Sequence, residues 1–307
     1  MNSTETVAVV VVTYNSQRLL ADLIQSLGPG LEGVNWHLTV ADNDSKDDSA
    51  GEIHRLKPDA TVIEMGRNAG YAAGINAAVA KSGPFTAVLV LNPDVRLTPD
   101  CVRTLLDTLR ENGTGIAVPL LHDGDGRLIE TMRREPAVRR VLADAVLGAG
   151  RAGRIGTLGE MITDPGQYRS ETVTAWAEGS TMLISADCWN AIAPWDESFF
   201  LYSEETDFAL RARDAGFVTR FTPAARATHL EGDSKVSPGL WALLTINKVR
   251  LYRRRHHRLA ATAFWAALLL RETSRAAIGN VPSRRAVRFL LNPRRLRETP
   301  GPHTVTA

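Results

Sequence analysis

Between residues 199 and 217 the chain reads FFLYSEETDFALRARDAGF, a stretch whose acids Glu204, Glu205 and Asp207 are suited to moving a proton. They would open a helix whose apolar face is Phe208, Leu210, Ala212 and Ala215, with Ser203 as N-cap and Gly216 as the stop. Carboxylates in a first helical turn meet the favourable end of the helix dipole, so at least one is expected to stay ionised at neutral pH. An ionised carboxylate beside a cleft takes a proton from a hydroxyl. Acids are also common in first turns for purely structural reasons, so the choice rests on the rest of the chain.

The elements that must position these acids alternate between strand and helix. Residues 7–12 form an unbroken apolar, mostly β-branched run, as in a strand buried on both faces of a parallel sheet. It ends in Thr13, Tyr14, Asn15 and Ser16 and passes into a helix over 17–27. Strands over 37–41 and 61–65 end at Asp42-Asn43-Asp44-Ser45 and Gly66-Arg67-Asn68-Ala69-Gly70. A helix over 71–80 and a strand over 87–91 follow, the latter ending at Asn92-Pro93-Asp94. This alternation predicts an α/β doubly wound sheet with ligands beyond the strands' carboxyl ends. The first strand is followed by T-Y-N-S-Q-R and not G-x-G-x-x-G, which argues against a nicotinamide dinucleotide.

With 307 residues, 44% hydrophobic and 23% charged, the chain is long enough for one large domain with appendages. Two cysteines, Cys101 and Cys188, lack metal-ligand spacing and fit a reducing cytoplasmic setting; neither a signal peptide nor a membrane-spanning stretch is expected. The net charge of +2 hides an asymmetry: residues 1–247 carry 22 Lys/Arg against 32 Asp/Glu, and 248–297 carry 14 against Glu272 alone.

Seven segments then occur in order: VVVVTYNS (9–16), ADNDS (41–45), GRNAGYAAGIN (66–76), LVLNPDV (89–95), WAEGSTMLI (176–184), the 199–217 stretch and ATHLEGDS (227–234). Together they resemble the family 2 glycosyltransferases with a GT-A fold, and within them the bacterial rhamnosyltransferase-like enzymes. The resemblance implies a mixed, mostly parallel Rossmann-like sheet flanked by helices over 1–235, with a nucleotide-sugar half (1–116) and an acceptor half (117–235). A C-terminal helical extension, 236–297, would follow.

It also implies roles. Asp42 would accept the imide N–H of uracil or thymine, an Asx turn being the structural alternative, with Thr13, Tyr14 and Asn15 lining the same pocket. Asn68 and Gly70 precede a helix whose amides could face a pyrophosphate; Gly74 and Asn76 lie in its first turns, where Gly74 could equally serve close packing. Asn92-Pro93-Asp94 stands in for D-x-D, so Asp94 would be a ligand to Mg²⁺ or Mn²⁺ and Asn92 its neutral neighbour. His229 would be the second ligand, with Gly232 and Ser234 nearly completing its motif. Glu205 would be the base of an inverting displacement, with Glu204 or Asp207 as substitutes. Trp176, Glu178, Gly179 and Ser180 would shape the acceptor side, supported by Asp196 and Phe199. dTDP-L-rhamnose is the favoured donor, with UDP-galactofuranose, UDP-glucose and dTDP-deoxysugars open. The acceptor is a glycan, a lipid-linked glycan or a small metabolite, and a non-catalytic binding module is the alternative class.

The rest is plainer. Residues 122–127 are turn-rich and 133–147 are expected as an Arg-bearing helix, but nothing there names an acceptor. A helix over 240–252, the run RRRHHR (253–258) and apolar residues 259–270 suit reversible contact with an anionic membrane through 248–297. A packed helical pair or a dimer contact are the alternatives. The segment lacks the interleaved aromatics of a nucleic-acid site. Residues 298–307 are expected as a disordered tail.

Overall fold

The computed structural model describes residues 5–230 and 237–306. Its sheet is centred on β1 (Thr6–Thr13), whose side chains from Val7 to Thr13 are buried on both faces. Then come α1 (Gln17–Gly30), β2 (Asn35–Asp42), α2 (Ser49–Leu56), β3 (Thr61–Glu64), α3 (Tyr71–Lys81) and β4 (Ala87–Leu91). Strands β3, β2, β1 and β4 are neighbours in that order and parallel. The chain next forms β5 (Val95–Leu97), α4 (Cys101–Leu109) and β6 (Thr114–His122). Residues 122–127 make the expected turn, where Asp123 and Arg127 are hydrogen bonded, and lead to β7 (Leu128–Ile129) and β8 (Met132–Arg133).

The helix expected over 133–147 begins later, as α5 (Val138–Leu147), followed by α6 (Ala149–Arg154). Pro136 explains the delay, because it holds the residue before it extended. Arg133 therefore lies in a strand, facing the cleft. β9 (Thr172–Thr174), β10 (Trp176–Ala177), β11 (Thr181–Ser185), α7 (Ala186–Ile192), α8 (Glu204–Asp214) and β12 (Val218–His229) complete the catalytic body. The full sheet order is β3-β2-β1-β4-β11-β6-β12-β5, with β11 antiparallel to both neighbours and β12 antiparallel to β5.

The C-terminal segment is α9 (Pro238–Arg255), α10 (Arg258–Ala277), α11 (Val281–Leu290) and α12 (Pro302–Thr306). Gly232, Ser234 and the boundary placed at 235 fall outside the described residues. The packed arrangement of 248–297 is the one observed. Val249, Tyr252, Phe264, Ala267 and Leu268 share an apolar cluster with Val141 of α5. The basic run is partly spent on ion pairs to the body, Arg254 with Asp196 and Arg255 with Asp214 at 2.5 Å. Residues 298–307 are corrected as well: α12 packs on α9, with Thr304 fully buried and Gly239 so close to the Val305 carbonyl that a Cβ would stand 2.0 Å from it. Among the described residues no helix is long and apolar enough to cross a membrane.

Phe264 is fully buried, whereas Leu259 on the same helix is 80% exposed. Phe264→Ala is expected to lower the unfolding free energy of the full chain by about 3–5 kcal/mol, and Leu259→Ala by less than about 0.5 kcal/mol, in urea titrations. Equal effects would contradict the packing of α10.

Candidate active site

The Asp94–His229 pair and the acids Glu204 and Glu205 are positioned by strand register and by one strained loop respectively. In the antiparallel pairing of β5 with β12, His229 lies opposite Val95, and the Leu230 amide donates to the Asp94 carbonyl at 3.0 Å. That register sets His229 Nε2 3.2 Å from Asp94 Oδ2, both side chains nearly buried. Neighbouring ligands about 2.1 Å from an octahedral ion stand about 3.0 Å apart, so this pair fits two adjacent positions of a divalent cation. The Asn92 amide donates to Ser180 O at 2.9 Å, which ties the N-P-D turn to the 178–180 loop.

The acids arrive by a different route. Phe200, Tyr202 and Ser203 all have positive φ (65°, 68° and 78°). Phe200, with ψ −58°, is the centre of a γ-turn in which Leu201 N–H donates to Phe199 O at 2.8 Å. Two contacts hold this loop. Asn247 of α9, fully buried, directs its side-chain amide to the carbonyls of Phe199, Leu201 and Tyr202 at 2.8, 2.9 and 3.1 Å. On the other side Tyr71 N–H donates to Phe200 O at 2.8 Å. Gly70, at φ 93°, lies so close that a Cβ would meet that oxygen at 2.3 Å.

Ser203 is therefore not the expected cap: its backbone is left-handed and its side chain makes no capping bond. Gly216 does take the positive φ that ends α8. The loop sets Glu204 and Glu205 against the 178–180 segment, where a Cβ on Gly179 would stand 3.1 Å from Glu205 Cβ. Asn92, Glu204, Glu205 and His229 line one cavity of about 470 Å³ together with Tyr71, Trp176, Glu178, Gly179 and Ser180. Asp207 is not part of it. It faces the other side of α8, paired with Arg211 at 2.7 Å, which removes it as a substitute base.

Burial opposes the helix start at Glu204 and Glu205 and outweighs it. Glu204 is 2% exposed, and burial, followed by the Glu205 charge, pushes its pKa well above the usual carboxyl range. Burial also raises Glu205, to about 7; Glu178 adds to the rise, and backbone amides of the helix start oppose it. Glu205 keeps part of its surface open to the cavity while protein surrounds the rest. Glu204 and Glu205 are thus adjacent carboxyls that titrate as a pair, both pushed towards the protonated form. Tyr71 donates to Gly179 O at 3.0 Å, and burial, then the charges of Glu204, Glu205 and Asp94, push its phenol up strongly.

On the donor side, Thr13 Oγ1 and Ser45 Oγ both donate to Asp42 Oδ1 (2.7 and 2.5 Å), and Ser45 N–H to Oδ2 at 2.9 Å. The Asx turn is thus real, and Oδ2 retains acceptor capacity. Tyr14 is exposed; Asn15, at φ 52°, accepts from Lys46 N at 2.7 Å, and Asn68 accepts from Gly70 N at 3.2 Å. Gly74 and Asn76 serve structure instead of lining the cavity. A Cβ on Gly74 would meet Val12 at 2.7 Å, and Asn76 bridges Trp195 and Glu197 by three hydrogen bonds of 2.9 Å.

The acceptor side is larger than the motifs indicate. Trp176 donates to Arg134 O at 3.2 Å, with the Arg133 guanidinium 5.9 Å from its ring, and Arg133 pairs with Glu178. The wall is completed by Asp144 and Glu160 from the 117–175 region and by Trp241, Lys248 and Arg271 from α9 and α10. None of these five carried a sequence signal. Tyr71 did, since it directly follows Gly70 in its motif; Asn247, on a helix that also carries Thr245, Lys248 and Arg250, did not.

Comparison with known proteins gives the family and the fold. The profile of "Glycosyl transferase family 2" matches residues 8–159 and that of "Glycosyl transferase family group 2" residues 87–290. The chain is 29% identical over 245 residues to an N-acetylglucosaminyl-diphospho-decaprenol L-rhamnosyltransferase of Mycobacterium tuberculosis, covering 75% of this chain and 78% of that one. A mannosyltransferase of Pyrobaculum calidifontis, solved with GDP-Man and Mn2+, shares the fold at TM-score 0.56 and 13% identity over 91% of this chain and 77% of its own. GalNAc-T7, solved with UDP, GalNAc and Mn2+, does so at TM-score 0.56 and 14% identity; the match covers 82% of this chain and 48% of that one. The fold is GT-A.

Two measurements test the site without any substrate. Unfolded, Glu205 titrates near 4.5 and folded at about 7. Between those values the native state holds a proton the unfolded chain has lost, so stability falls as pH rises through this window. Glu205→Gln, a mimic of the neutral form, should gain on the wild type by on the order of 2 kcal/mol between about pH 5 and pH 8. A pH-independent difference in urea titrations with EDTA would refute the raised pKa. Asn247→Ala should cost about 1–3 kcal/mol and Asn247→Asp, which lacks the amide donor, at least as much; a neutral Asn247→Asp would mean that the clamp does not hold the loop.

Proposed function

The chain belongs to glycosyl transferase family 2, and we propose that it is a metal-dependent, inverting hexosyltransferase carrying L-rhamnose from dTDP-L-rhamnose to a hydroxyl of a lipid-linked glycan. The observation that carries this reading is that His229, 3.2 Å from Asp94, lines the same cavity as Glu205, whose pKa burial raises to about 7. A base is most useful when its pKa lies near the working pH. The Glu205 carboxylate takes the proton of the acceptor hydroxyl as that oxygen bonds to the anomeric carbon. The bond from this carbon to the diphosphate breaks on the opposite face, which inverts the configuration. A divalent cation, when bound, neutralises charge on the departing diphosphate.

The other residues position and exclude. Glu204 stays neutral, so the base is not faced by a second full charge. Tyr71 fixes the Gly179 carbonyl, and with it the loop against which Glu205 packs. Asp42 and the exposed ring of Tyr14 would hold the base of the nucleotide, and Asn92 would meet its sugar. Support for rhamnose and for a lipid-linked acceptor comes from the mycobacterial relative, whose name specifies both. The two tryptophans and alternating charges of the acceptor wall suit a hydroxyl-rich ligand.

Product formation from dTDP-L-rhamnose should exceed that from UDP-galactofuranose, UDP-glucose or other dTDP-sugars, with N-acetylglucosaminyl-diphospho-lipid as acceptor. Glu205→Gln should lower kcat by about 100- to 10,000-fold while dTDP binding persists. kcat/KM of the wild type should rise with pH through about 7. His229→Ala and Asp94→Ala should instead lose the Mn²⁺-dependent part of dTDP binding. Wild-type turnover in Glu205→Gln would remove the assigned base, and preference for a UDP-sugar would replace the donor.

A further inference from the structure

The insertion that was least readable in the sequence has two chemically distinct sides. Inward, Asp144 and Ala149 line the acceptor cavity. Outward, α5, α6 and the following turn present Leu142 (40% exposed), Val146 (81%) and Ile155 (49%), interspersed with the exposed cations Arg139, Arg151 and Arg154. Over residues 136–159 the only acid is Asp144, and it is buried. The three arginines enter no ion pair among the described residues, in contrast to Arg254 and Arg255 of the basic run.

A second element continues this surface. Val141 packs with Phe264, Ala267 and Leu268, and one turn later Asp144 feels the charges of Arg271 and Arg275. The two helices therefore run parallel, and the C-terminal ends of α5 and α10 lie at the same end of the molecule. There Ile278 is 85% exposed, and residues 273–297 contain no acid. Exposed aliphatic side chains fringed by arginine, with no carboxylate among them, are the composition of a helix that lies in a bilayer interface. A protein partner would be expected to require charge matching of both signs, whereas an anionic bilayer requires one.

We infer that the outer face of the α5–α6 insertion, extended by the end of α10, is the surface by which this protein docks on an anionic membrane. The basic run 253–258 is not that surface, since two of its arginines are committed to the catalytic body. Because Asp144 and Ala149 belong to the same segment, docking there would place the acceptor cavity beside the lipid headgroups. The surface follows from exposure and charge alone and does not depend on the proposed reaction.

Flotation of the full-length protein on vesicles tests this. With phosphatidylglycerol and phosphatidylcholine at a ratio of about 3:7 the wild type should float, more weakly at high salt, and with phosphatidylcholine alone it should not. Val146→Asp/Ile155→Asp should reduce partitioning about tenfold or more, and Arg253→Ser/Arg258→Ser should leave it unchanged. Circular dichroism melting establishes that each variant is folded, and Val146→Ser/Ile155→Ser replaces the aspartate pair if that one is not. No flotation of the wild type, wild-type flotation of the insertion variant, or loss in the basic-run variant would each overturn the inference. Transfer activity and dTDP binding measured on the same samples report on the reaction separately.

Discussion

A single buried amide connects the C-terminal helices to the catalytic acids. Three residues of the 200–203 loop have backbone angles that side chains other than glycine avoid, at a cost of about 1 kcal/mol or more each. Such a loop persists only if its surroundings define it. Asn247 supplies one side of that definition by meeting the carbonyls of Phe199, Leu201 and Tyr202, and the Gly70–Tyr71 backbone supplies the other. The strain gives the chain a sharp entry into α8, which carries Glu204 and Glu205 under the acceptor wall instead of along the outside of the sheet. Phe200, Leu243 and Ile246 then bury a small apolar cluster at the same contact. The extension for this reason helps to hold the loop that carries Glu204 and Glu205, and its removal would leave that loop with half its support.

Position in a first helical turn and burial act on the same carboxyls in opposite directions. The dipole and the free amides of a helix start favour the charged form, worth a fraction of a kcal/mol to about 1 kcal/mol. Removing water from around a carboxylate costs more, and two adjacent acids add mutual repulsion. The outcome is a pair in which the more deeply buried Glu204 is pushed well above the usual carboxyl range and Glu205 to about 7. Gly179 leaves space beside the Glu205 Cβ, where an added methyl would stand only 3.1 Å away.

Most of the donor half was legible in the sequence, because parallel strands expose their chemistry at their carboxyl ends and those ends are adjacent in the chain to readable turns. The places of Thr13, Asp42 and Asn92 at the ends of β1, β2 and β4 were read in this way. Proximity to a helix start says nothing about which face a residue occupies: Gly74 takes the close-packing alternative, against Val12, and Asn76 clamps the 195–197 loop. Ser203 and Asp207 failed for a related reason: both readings assumed an ordinary helix entry, and the left-handed loop turned the first away from the amides and the second out of the cleft. The acceptor wall was invisible because its residues come from four separate segments and meet only through the packing of α5, α9 and α10. Tail residues 298–307 have a disordered composition, but Gly239 leaves space for the Val305 backbone to dock.

The two halves of the site rest on independent supports, and this separation explains the arrangement best. Asp94 and His229 are placed by the β5–β12 register, which belongs to the sheet and changes only if strands slip. Glu205 is placed by a strained loop whose stability depends on side chains from the extension. A one-residue slip of β12 would turn His229 to the opposite face of the sheet, whereas loosening Asn247 would move the acids and leave the pair intact. Rigid placement suits a cation site, whose ligands must keep fixed spacing. The conditionally held loop suits a base that has to approach an acceptor entering from the side where the extension and the insertion meet.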